Sequence, residues 1–225
     1  MIFFRKQRLL NFKSCCFLKK CIFVFKYKKM TNEVHIRPFF EQNNGIASIQ
    51  YLLEKGISYY DINKLLADKT LIKLKRGVYK WAETETNELV EVAFMIPNGI
   101  FCLQTACFYY ELTTSIPSKI HVALTDDRRV ALPNYPPIKL YYWNDTPFQL
   151  GITTVLVDNQ PVQMYDLEKT ICDVIRHRQK LGFEVLKEIL KNYLNRKDRN
   201  LNRLNHYAQQ LNIQNKVEDF IKILL

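Results

Sequence analysis

Three groups of residues in this chain are of types that could carry chemistry. The carboxylates come first: Asp126-Asp127, and the set Asp166, Glu168 and Asp173. A metal-dependent nuclease needs an acidic residue on a strand followed by a spaced acid-and-lysine pair that holds the ion and its water. Glu168 and Lys169 are adjacent instead of spaced. Asp166 has the position of a helix cap. Asp173 stands three and four residues before Arg176 and His177, where a charge pair on a helix surface suffices. Asp126-Asp127-Arg128-Arg129 reads most simply as a solvated loop. The second group is sulfur and imidazole. His35, His121, His177 and His206 are scattered and give no ligand pair. Cys102, Cys107 and Cys172 are odd in number, lack CxxC spacing and sit in apolar surroundings, which points to free buried thiols. The six glycines are widely spread and make no phosphate-cradling loop. These residues predict no enzyme, no cofactor and no metal site. A metal-dependent nuclease-like enzyme and a protein-only interaction module stay open as alternatives.

The third group is cationic and aromatic. From Lys69 to Lys80 there are five basic residues (69, 73, 75, 76 and 80) and no acidic one. Ahead of them lie Tyr59, Tyr60, Asn63 and Lys64. This is the chemistry of duplex DNA recognition. Cations hold phosphates and position a protein without reading sequence. An Asn amide pairs with adenine in two directions, which makes Asn63 the strongest candidate base reader. The expected DNA-binding residues are Tyr59, Tyr60, Asn63 and Lys64, with Lys73, Lys75 and Arg76 for phosphates or the minor groove.

The elements that must position them run from Ser48 to Trp81. Ser48 can cap a helix carrying Ile49, Leu52 and Leu53 at helical spacing. Gly56 fits the left-handed position that ends it. Ser58, with Asp61 three residues on, resembles a capping box. The second helix, Ser58 to Asp68, should turn Ile62, Leu65 and Leu66 inward and leave Tyr59, Tyr60, Asn63, Lys64 and Ala67 outward. Leu71 to Lys75 alternates, with Ile72 and Leu74 expected on one face and Lys73 and Lys75 on the other. Arg76-Gly77 supplies a turn, and Val78 to Trp81 returns as a strand. Helix, tight turn, helix and basic hairpin make the pattern of a winged helix-turn-helix.

This stretch resembles the N-terminal domain of the AbiEi family, through Gly45-Ile46, Gly56-Ile57-Ser58, Leu65-Leu66 and Lys75-Arg76-Gly77-Val78-Tyr79. Further on, Pro97 to Phe101 followed by Thr105-Ala106 is similar to the opening of the family's second domain. Asp166 to Asp173 is similar to one of its helices, with Lys169 where arginine is commoner. The resemblance covers roughly Ile36 to Leu211. It implies the antitoxin of a type IV (AbiE) toxin–antitoxin, abortive phage-infection system. Such a protein binds double-stranded DNA at its own promoter, represses its operon and counteracts a nucleotidyltransferase-like toxin without a stable complex.

The expected fold class is α+β: a winged helix-turn-helix, then a mixed α/β domain ending in a helical C-terminal region. Of 33 basic residues, nine fall in residues 1–29 with no acidic one, leaving residues 30–225 with 24 basic against 22 acidic groups. That body is nearly neutral, so the local charge of the hairpin matters more than the overall +11. Lysines break every apolar run of residues 1–29, which falls short of the roughly 20 apolar residues of a membrane helix. A basic membrane-surface segment is open, but the preferred reading is a mis-assigned start, with Met30 as the true one. Residues 30–82 are the expected DNA-binding domain, 83–87 a polar linker and 88–225 an antitoxin-type domain. Cysteine usage fits the cytoplasm, with no membrane partner. In the first domain, a helix is expected over Ile36 to Gln42 with Pro38 in its opening turn. In the second, Glu88 to Ile96 and Thr105 to Leu112 are expected helices, the latter with Phe108, Tyr109 and Tyr110 as a core stripe. Ile100 to Leu103, Lys119 to Thr125, Ile138 to Trp143, Ile152 to Val157 and Pro161 to Met164 are expected strands of a small mixed sheet. Four helices follow, with apolar faces led by Leu167, Phe183, Leu201 and Val217.

Overall fold

The computed structural model describes residues 33–224; the leader reading for residues 1–29 lies outside them. The fold is mixed α+β, with ten α-helices and two sheets among the described residues. Helix α1 spans 33–41. It starts earlier than its apolar pattern suggests, so Pro38 sits within it and not in its first turn. The first sheet has strands β1 (Ile46–Ser48), β2 (Leu71–Lys75) and β3 (Val78–Trp81), in the order β1-β3-β2 and antiparallel throughout. Helices α2 (Ile49–Glu54) and α3 (Tyr59–Ala67) lie between β1 and β2.

Strand β3 is covered on both sides, and this corrects the reading of the hairpin. Tyr79 and Trp81 join Phe40, Leu52, Ile62, Leu65 and Leu71 in a core beneath α1–α3. Val78, with Ile46, joins a different core that includes Val90, Met95, Phe101 and Val122. Leu71 stands opposite Trp81 and is buried, whereas Ile72 is 46% exposed. The register slips between Lys73 and Lys75, so the alternation does not run through: Leu74 turns toward the second core and Lys75 is half-buried. Such a bulge sets two residues against one. Leu53, expected inward, is also exposed.

The second sheet is mixed, as expected, with order β6-β5-β4-β8-β7. Its strands are β4 (Ile100–Phe101), β5 (Ile120–Thr125), β6 (Ile138–Trp143), β7 (Ile152–Val157) and β8 (Gln160–Tyr165). Strands β5 and β6 run parallel, as do β4 and β8, while Asp158 and Asn159, both at positive φ, turn β7 back on β8. Helix α4 (Glu88–Met95) covers one face together with Ile46 and Val78. The other face carries α5 (Leu103–Tyr109), α7 (Leu167–Arg176), α8 (Phe183–Asn195), α9 (Leu201–Gln210) and α10 (Gln214–Leu224). A short helix α6 (Asp145–Gln149) was not apparent in the sequence.

Helix α7 is the axis of this second layer. Nine of its ten residues are buried. Asp166 caps it, accepting from the Lys169 amide at 2.8 Å, as its position predicted. Asp173 does not form the expected surface pair with Arg176 and His177. It is fully buried and bonded to Lys169 Nζ at 2.6 and 2.7 Å. The Lys169 ammonium also lies 4.5 Å from the Trp143 ring centroid and 4.2 Å from that of Tyr165. A buried charge persists only when paired and bonded, and an ammonium over an aromatic face gains further. Three more expected inward residues are exposed: Phe108, Phe183 and Leu201. Phe108 borders an open groove whose wall also includes Ile116 and Leu156.

Candidate nucleic-acid interface

The α2–α3 corner is built from local bonds. Ser48 caps α2 by accepting from the Tyr51 amide. Gly56, at φ +81°, ends it, while the Gly56 and Ile57 amides return to the Leu53 and Leu52 carbonyls. Ser58 caps α3 by accepting from the Asp61 amide at 3.2 Å, and its hydroxyl donates to Asp61 Oδ2 at 2.6 Å. These bonds satisfy donors that a helix start leaves orphaned.

With Ile62 and Leu65 buried, α3 offers its other side to solvent. Tyr59 is 60% and Tyr60 74% exposed. Asn63 is exposed and Lys64 half-buried. The hairpin turn at Arg76-Gly77 sits against the start of α2, where the Ile49 amide donates to the Gly77 carbonyl at 2.8 Å. Lys73 and Arg76 are exposed. Burial lowers the Lys75 ammonium below its ordinary value, and the Arg128 guanidinium lowers it further. So Arg128, read from the sequence as part of a solvated loop, brings a second cation toward the hairpin. Nothing in its local sequence signals that proximity, which depends on how the two cores pack.

Lys80 points elsewhere. Its ammonium meets Glu91 at 2.7 Å, with both side chains largely buried, so of the five basic residues between 69 and 80 only Lys73, Lys75 and Arg76 lie toward the tip. Of the carboxylates weighed as metal holders, Asp166, Glu168 and Asp173 are engaged. Asp166 accepts from the Tyr207 hydroxyl at 2.8 Å. Glu168 accepts from the Asn200 amide at 2.8 Å and faces Arg203. Asp126 and Asp127 are exposed. Among the described residues no group of three His, Cys, Asp or Glu side chains is placed to hold a metal ion. Cys102, Cys107 and Cys172 are free and buried, as expected, and burial pushes all three thiols up.

The chain is similar in fold to the RV2827C protein from Mycobacterium tuberculosis. That crystal structure superimposes with a TM-score of 0.54 over 83% of this chain and 77% of the other, at 14% identity. At that identity the likeness is one of fold alone. No protein-family model matches the sequence, and no curated protein matches it. Among the described residues no helix is long and apolar enough to cross a membrane.

Proposed function

We propose that the chain is a DNA-binding transcriptional regulator whose residues 33–81 form a winged helix-turn-helix. The order helix, strand, helix, helix, strand, strand, with the first strand beside the last, supports that reading. One observation carries it furthest: the outer side of α3 stays open, and Lys73 and Arg76 of the hairpin are exposed. In this reading α3 enters the major groove with Tyr59, Tyr60, Asn63 and Lys64 toward the bases and adjoining phosphates. Lys73, Lys75 and Arg76 hold phosphates from the wing. The AbiEi resemblance extends the proposal to a cytoplasmic antitoxin that represses its own operon and counteracts a nucleotidyltransferase-like toxin. No catalytic role is proposed.

The test is promoter binding as a function of salt. Lys73→Ala with Arg76→Ala should weaken binding to all duplex sequences and reduce the log–log salt slope by about 2, roughly one unit per lost phosphate contact. Asn63→Ala should instead relax discrimination between sites. If the wing variant binds promoter DNA like the wild type at physiological salt, the interface is elsewhere.

A further inference from the structure

Edge strand β6 and the end of α7 build a second cationic feature, far in sequence from the hairpin, with Tyr141 as its hub. The His121 and His177 rings lie 5.3 and 5.9 Å from the Tyr141 ring. The Tyr141 hydroxyl and His121 Nδ1 are 3.3 Å apart. Lys139 Nζ is 5.5 Å and Lys180 Nζ 6.0 Å from the same ring centroid.

Three elements bring these groups together. His121 on β5 is in register with Lys139 on β6. His177 closes α7, and Lys180 ends the single 3-10 turn that follows. Among the described residues neither Lys139 nor Lys180 forms an ion pair with a carboxylate. The charges that bear on the two imidazoles are Lys119 and Lys139 for His121, and Arg176, Lys180, Lys169 and Lys139 for His177. All are cations. Asp173, the carboxylate on the inner side of α7, is already bonded to Lys169. Among the described residues His177 Nε2 is buried with no hydrogen-bond partner.

We propose that the collar of Lys139, Lys180, His121 and His177 around Tyr141 binds the phosphate of a phosphate-bearing ligand. Two exposed ammonium groups supply the charge, and the two imidazoles beside Tyr141 sense the bound anion electrostatically. An anion there satisfies cations that otherwise repel one another across a single ring. Burial, then the neighbouring cations, press both imidazoles down to about 4. A bound phosphate counters those cations, so both imidazoles should take up protons at higher pH than in the free protein.

The experiment titrates the full chain with inorganic pyrophosphate at low ionic strength, read by calorimetry and by the imidazole NMR resonances. Saturable binding that moves both imidazole titrations upward is expected. Lys139→Gln with Lys180→Gln should weaken binding by about tenfold or more, and the paired Arg substitutions should retain it. Both lysines are exposed, so thermal unfolding should stay near wild type. A single-stranded oligonucleotide that displaces pyrophosphate assigns the phosphate to a nucleic-acid backbone; failure to displace it assigns a free phosphate compound. The wing variant Lys73→Ala with Arg76→Ala should bind pyrophosphate as the wild type does, which separates this site from the promoter-binding reading. Absence of pyrophosphate binding, or binding unchanged in the Gln pair, overturns the proposal.

Discussion

Helices α3 and α7 begin alike. Each starts behind a side chain that accepts from the backbone amide three residues on, Ser58 from Asp61 and Asp166 from Lys169. Each carries charges between its apolar positions. Yet α3 keeps Tyr59, Tyr60 and Asn63 in water, whereas α7 is buried on nearly every side, with Lys169 and Asp173 inside. The contrast shows that a helical period marks one covered face and is silent about the other. On α3 the charged side faces solvent. On α7, Asp173, expected to pair with Arg176 and His177 at the surface, joins Lys169 instead, and the pair is closed over by Trp143, Tyr165 and the helices that follow.

The largest break in that contrast should come from Asp173→Ala. Removing one member of a buried pair strands the Lys169 charge and should cost about 3–5 kcal/mol in denaturant unfolding. Lys169→Met with Asp173→Leu should recover much of the loss, while Lys64→Ala on α3 should stay within about 0.5 kcal/mol of wild type.

Two glycines at positive φ sharpen the comparison. A Cβ on Gly151 would fall 2.6 Å from the Lys169 Cβ, whereas one on Gly56 would meet nothing within 4 Å. Gly151→Ala should cost about 2–4 kcal/mol from strain and crowding together, and Gly56→Ala about 1 kcal/mol from strain alone.

Acid should act on the α7 side. His121 and His177 have folded-state values lowered from 6.5 to about 4. Their contribution is present above 6.5 and lost as pH falls toward 4. Burial raises Asp173 from 3.8 to about 6, so its contribution runs the other way, lost as pH rises over that range. His121→Gln with His177→Gln should therefore flatten the acid loss of stability relative to wild type, measured as unfolding midpoints between pH 6.5 and 4. The smallest effect belongs to α3: Ser58→Ala removes a cap and should cost about 1 kcal/mol.

Much of the first unit was legible because its determinants are local. Gly56, Ser58 and the Arg76-Gly77 turn each act within a few residues, and the structure places them as their types suggest. The faces of the hairpin were not legible. Ile72 and Leu71 exchange roles because β3 serves two cores, and the second of these is supplied by α4 and β5. The strands of the second sheet were clear from their apolar runs bounded by Asn, Asp and Pro. The fate of Asp173 was not, since Trp143, Leu204 and the other residues that close over that helix are distant in sequence.

The Glu91 carboxylate accepts from both Lys80, on the returning strand of the hairpin, and Thr86, just ahead of α4. That double tie leaves residues 82–87 little slack to act as a hinge. A twist applied at the hairpin tip would travel through β3 into α4 and on to the five-stranded sheet. Whatever bends the hairpin must therefore also turn the second half of the molecule, as a handle turns its blade.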